Sequence, residues 1–140
     1  MLFKDEKGKQ HDISINIGNA RKVSRLYDID LMDAQRTLDA IKDFDKEKHG
    51  KGTMLMADIC MTLAKSHDPN LDEDLFYESL AGDSLIELQE AFLGSLANFC
   101  PSQAMRAILR KSIKMIQKTQ ADLLKKVQET DFSEVLKGGN

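Results

Sequence analysis

Ser84-Leu85-Ile86-Glu87-Leu88-Gln89-Glu90-Ala91-Phe92-Leu93-Gly94-Ser95-Leu96-Ala97-Asn98-Phe99 is the stretch that decides the fold class. Leu85, Leu88, Phe92, Leu96 and Phe99 recur three and four residues apart, the period that brings side chains to one side of an α-helix. Ile86, Leu93 and Ala97 widen that side, while Glu87, Glu90, Gly94 and Asn98 leave only a narrow polar strip. A helix so apolar needs neighbours on more than one side, which makes it the expected centre of a helical domain. Ser84 and Glu87 have the spacing of a capping box and set its expected start.

Downstream, Pro101 fits the first turn of a following helix, where its missing amide hydrogen costs nothing. Met105, Ile108, Leu109, Ile113, Ile116, Leu123, Leu124 and Val127 then form a stripe for about six turns, the mark of one long helix read here as core-packing. Arg110, Lys111, Lys114, Lys118 and Lys125 project from its other sides. Asp131 and Glu134 set off a short amphipathic tail, residues 131–140, carrying Phe132, Val135 and Leu136.

Upstream, Asn70 and Glu73 repeat the capping-box spacing and open a short acidic helix whose Leu71, Leu75, Phe76 and Leu80 point inward, with Gly82 ending it. A helix before it carries Leu55, Met56, Ile59, Cys60 and Leu63 on one face and stops at Asp68-Pro69, because proline disfavours helix in the residue ahead of it. Another runs from Asp33, as its cap, to Phe44 through Ala34, Leu38 and Ile41; the polar segment from Asp43 to Gly52 is an exposed loop. Near the start, Ile13, Ile15 and Ile17 alternate with Ser14 and Asn16, and Gly8 offers a turn, which together predict a β-hairpin. Asn19 caps a short helix through Ala20, Val23 and Leu26 that ends near Asp28. The fold class is therefore mainly α: one domain over residues 1–130, with a short N-terminal β-hairpin and a long C-terminal helix.

The 140 residues are 41% apolar and 31% charged, ordinary proportions for one folded domain. No run approaches the ~18 apolar residues needed to cross a bilayer, and the first residues lack a signal-peptide core, so a cytosolic protein is expected. The net charge of −3 hides an asymmetry. From Ser66 to Met105 there is no Lys or Arg among eight acidic residues, whereas the helix after Pro101 is basic. Cys60 and Cys100 sit within apolar patterns and read as buried free thiols.

Chemistry-bearing patterns are missing. No glycines form GxGxxG or GxxxxGK[ST], so nucleotide binding is not expected. His11, His49 and His67 are far apart, without paired metal-ligand spacing, and read as surface residues. Asp28, Asp30 and Asp33 lack the loop of an EF-hand and are better explained as helix ends and caps; Asp72, Glu73 and Asp74 suit the first turn of a helix through its dipole. Ser84 and Ser112 lack a GxSxG setting. The expectation is a non-enzymatic protein with no cofactor and no metal. The basic helix raises a small regulatory or nucleic-acid-binding protein as a competing reading; the acidic total and the absence of interleaved aromatics oppose nucleic-acid binding.

Between Met54 and Ile113, four blocks together resemble the tail assembly chaperones of long-tailed bacteriophages: Met54-Leu55-Met56-Ala57-Asp58-Ile59-Cys60, Leu71-Asp72-Glu73-Asp74-Leu75-Phe76, Leu80-Ala81-Gly82-Asp83 and Leu96-Ala97-Asn98-Phe99-Cys100-Pro101. The β segment leading into a small helix from Ile13 to Leu26 fits as well. The departures are Cys100, where an aromatic pair before the proline would be expected, and the linker His67-Asp68-Pro69. The resemblance implies a bacterial-host cytoplasmic protein that keeps the tape measure protein soluble, recruits tail tube protein subunits, has no catalytic residues and is absent from the mature virion. Phe132, Val135 and Leu136 are the partner-binding residues expected on this reading, and self-association is compatible with it. A structural virion component is a further alternative.

Overall fold

The computed structural model describes residues 1–42 and 52–129. The chain opens with strands β1 (Leu2–Lys4) and β2 (Gln10–Asp12), paired antiparallel with Phe3 opposite His11. Gly8 (φ 84°) makes the turn, and the Asp5 carboxylate accepts the Lys7 and Lys9 amide hydrogens at 2.9 and 3.0 Å, pinning the loop. A hairpin forms as expected, but the Ile13/Ile15/Ile17 alternation lies beyond it. Ile13 is buried, and Ile17, 58% exposed, is the first residue of helix α1 (Ile17–Tyr27).

The reason is a capping box one turn earlier than expected. Asn16 Oδ1 accepts from the Asn19 amide and Asn19 Oδ1 from the Asn16 amide, both at 2.8 Å, so Asn16 is the cap and Asn19 sits inside the helix. Asn19 Nδ2 donates onward to Ser14 O and Ser66 Oγ. Asp28, in the left-handed region, ends α1. Helix α2 (Ala34–Lys42) starts as expected at Asp33, whose carboxylate accepts the Arg36 amide. Its expected end at Phe44 and the expected loop lie outside the described residues, Gly52 excepted. Helix α3 (Thr53–His67) buries Met56, Ile59, Cys60 and Leu63 and stops at the foreseen place before Asp68-Pro69.

Helix α4 (Glu73–Glu78) is capped by Asp72, which accepts the Leu75 amide at 3.1 Å, rather than by Asn70. Leu71 and Phe76 are buried, but Leu75 is 42% exposed, against the inward orientation expected of it. A six-residue helix offers the core one narrow face, and Phe76, about 100° further round, takes it. Gly82 does not end α4; at φ 56° it is the N-cap of α5 (Asp83–Phe99). Ser84 accordingly lies within the first turn of α5, donating to Ala81 O and accepting from the Ala81 amide, in place of the expected capping box.

Helix α5 is the centre of the molecule, packed against α3, β1 and the last helix, with every residue from Ala91 to Ala97 buried. Gly94, expected on the polar strip, instead seats the Met1 side chain: a Cβ there would fall 1.9 Å from Met1 Sδ. The N-terminal ammonium donates beside it to Ser14 Oγ and Ser95 Oγ. Helix α6 (Gln103–Glu129) begins two residues after Pro101, with Ser102 accepting the Met105 amide as its cap, so Pro101 precedes the helix instead of entering its first turn.

Candidate protein-binding surface

Leu109, Ile113, Ile116, Gln120, Leu123 and Val127 of α6 follow one another four and three apart, a repeat of about 3.5 that holds one seam on one side of the helix. The structure divides this seam in two. Leu109 is fully buried, and Met105, Ile113 and Ile116 pack partly buried against the core. From Gln117 to Glu129 every side chain is exposed. Leu123, Leu124 and Val127 stand 50%, 60% and 50% open, and Met115, off the seam, is 62% open. Gln117 still reaches Glu90 of α5, but at 1.5 Å per residue the positions from Lys118 to Glu129 make about 18 Å of helix that no other described element covers. The long helix is present as expected, but its stripe is core only as far as Ile116.

The polar side chains of α6 complete the surface. Lys111, Lys118 and Lys125 recur every seven residues and lie opposite the seam; Lys126 borders it, and Asp122, about 130° round from its centre, belongs to the outer side. Arg106 turns back at the start of the helix, donating to Cys100 O at 2.9 Å. Within the acid block, Glu73 pairs with Lys65 and Asp68 with Lys9 at 3.7 Å, while Glu90 accepts from Gln117 of α6 at 3.4 Å and from none of its lysines. The basic face of α6 is thus turned to solvent.

Phe132, Val135 and Leu136, the residues expected to bind a partner, lie outside the described residues. They follow directly on the open half of α6 in sequence. That half was read in the sequence as core, because periodicity marks which residues share a face and says nothing about whether another element covers it.

The other candidate groups resolve into structural duties. Asp28 ends α1, Asp30 accepts the Met32 amide, and Asp33 caps α2. Cys60 and Cys100 are buried free thiols, and burial pushes the Cys60 thiol well above its ordinary value. Burial, followed by the hydrogen bond from Tyr77 Oη to Asp58 Oδ1, raises the Tyr77 phenol in the same way. His67 Nε2 lies 2.7 Å from Ser14 O. His49 lies outside the described residues.

His11 corrects the surface reading. It is 5% exposed, its Nε2 lies 2.8 Å from Asp5 Oδ2, and its ring stacks among Phe3 and Phe76 at centroid distances of 5.2 and 5.0 Å. Enclosed in this way, the pair leaves little surface for a substrate, and the contact with Phe76 ties the hairpin to α4.

Among the described residues no group of three or more His, Cys, Asp or Glu side chains is placed to hold a metal ion, and no helix is long and apolar enough to cross a membrane. Shallow open grooves run between β1, α5 and α6 and between α1, α3 and α4, without a convergent set of catalytic groups. What the arrangement offers chemically is an apolar strip along an exposed helix whose opposite face is basic. No family model, curated protein or solved structure matches this chain.

Proposed function

We propose that this chain is a non-enzymatic assembly factor that captures a helical partner on the open half of α6, in the manner of a phage tail assembly chaperone. On that reading it holds the tape measure protein in solution, recruits tail tube subunits, works in the host cytoplasm and leaves before the particle is finished. The single observation that carries the reading is the exposure of Leu123, Leu124 and Val127 along one line of a helix whose other half is anchored in the core. An amphipathic helix of a partner can lay its own apolar face along such a strip, and exposed apolar side chains gathered in one patch mark interaction sites more often than scattered ones do.

Co-expression with the tape measure protein tests this. The full chain is expected to keep that protein in the supernatant and to co-purify with it. A chain truncated after Thr130 is expected to fold and bind more weakly, and Leu123→Asp with Leu124→Asp to fold and fail. Equal capture by all three forms would sink the assignment of the surface. Detection of the chain in purified particles would favour a structural virion component.

The outward basic face of α6 favours a second reading, nucleic-acid binding. Phosphate contacts give affinities that fall steeply with salt, so a salt titration of any DNA binding separates the two.

A further inference from the structure

The outer edge of β1 has no strand beside it, and we propose that it docks an extended segment of another protein that carries lysine or arginine next to apolar residues. The register leaves this edge unpaired. Ile13 donates its amide hydrogen to Met1 O, and Asp5 donates its own to Lys9 O, so Met1, Phe3 and Asp5 turn their backbone groups toward β2. Leu2 and Lys4, which alternate with them, turn their amide hydrogens and carbonyls the other way. Those four groups meet no hydrogen-bonding partner among the described residues. The outer edge of β2 also lacks a third strand, but there α3 stands against it, with Asp68 paired to Lys9 and His67 set beside Asp12 and Ser14. The edge of β1 opens instead on the groove that it forms with α5 and α6.

The walls of that groove select the occupant. A strand edge is completed by another strand, which lies about 4.7–4.9 Å away and brings free backbone groups of its own; a helix is ~10–12 Å across and has spent its groups on itself. The wall facing β1 sets Ala91 and Ile113 beside Glu87 and Glu90. Neither carboxylate has a cation within ion-pair distance among the described residues, Lys4 across the groove included, and Glu90 accepts only from Gln117. From Ser66 to Met105 the chain supplies no Lys or Arg to answer them. A cation beside an apolar side chain therefore suits both parts of the wall, and an acidic segment is repelled. With only three residues in β1, the pairing is short and the binding weak. The site uses none of Leu123, Leu124 and Val127, so it stands or falls separately from helix capture on α6.

NMR titration of the full chain with a six-residue peptide of alternating lysine and valine, acetylated and amidated at its ends, is the test. In the free chain the Phe3 amide is expected to exchange slowly and the Leu2 and Lys4 amides fast. The peptide should slow those two and shift Ala91 and Ile113, with a dissociation constant below about 1 mM. Lys4→Pro removes an outward donor on which the β1–β2 ladder does not depend, and should weaken binding roughly tenfold or more while the Phe3 amide stays protected. Glu87→Gln combined with Glu90→Gln should weaken it comparably. The same peptide N-methylated at every residue keeps its side chains but cannot donate, and should not bind; nor should a glutamate–valine peptide. No response at Leu2 and Lys4 with the lysine–valine peptide in the millimolar range, equal binding by either control peptide, or binding indifferent to Lys4→Pro would overturn the proposal. So would protection of these two amides by protein concentration alone, which would give the edge to a second copy.

Discussion

Asp5 is 8% exposed, yet its carboxyl is held below the ordinary value of 3.8. Burial by itself would raise it; the hydrogen bond with His11, the amide hydrogens of Lys9 and Lys7, and the attraction of His11 together outweigh that effect. The sign of the pH dependence follows. A depressed folded value means that the ionised carboxylate stabilises the fold fully above the unfolded value, and that the contribution is lost as the pH falls through the folded one. Asp5→Asn is therefore expected to cost about 1–3 kcal/mol at neutral pH, with the gap from the parent closing below pH 3.8. Urea midpoints of both chains against pH check it, and a gap constant into strong acid would refute the ionic role. Asp12 titrates in the same direction in both chains and cancels in the difference. The pair was legible in part. A turn at Gly8 sets Phe3 against His11, but the neighbouring isoleucines offered a more conspicuous alternation, and Phe76 reaches the ring only through tertiary packing.

At the scale of the element, helix identities and most boundaries follow from periodicity and punctuation, while the caps shift by one to three residues. The physical reason is redundancy. Asn16 and Asn19, Asn70 and Asp72, and Pro101 and Ser102 each offer neighbouring ways to start a helix, and packing chooses between options that differ by about 1 kcal/mol. Burial along α6 was harder to read. Leu109 and Leu124 belong to the same apolar stripe of the sequence, yet one is fully buried and the other 60% exposed. Leu109→Ala is expected to cost about 2–5 kcal/mol and Leu124→Ala less than about 0.5 kcal/mol. Urea unfolding of the two variants measures the difference. Similar losses would mean that the far half of α6 is packed within the molecule after all.

At the scale of the whole molecule, one core built on α5 has to supply cover for six helices and a hairpin among the described residues, and it runs out beyond Ile116. The sequence shows how much apolar surface the chain carries but not how far the core extends, which is why the fold class was legible and the candidate surface was not. Helix that lacks tertiary contacts is held only by its own ladder and by side-chain pairs one turn apart, and such segments open locally far more easily than the core does. Amide exchange should therefore divide α6. Amides from Leu109 to Ile116 are expected to share the protection of α5, whereas those from Thr119 to Glu129 exchange many-fold faster in dilute protein. The addition of a captured helix should slow the second group selectively. Uniform protection along α6 in dilute protein would show that its far half already has a partner within the chain, and would remove the basis of the proposed function.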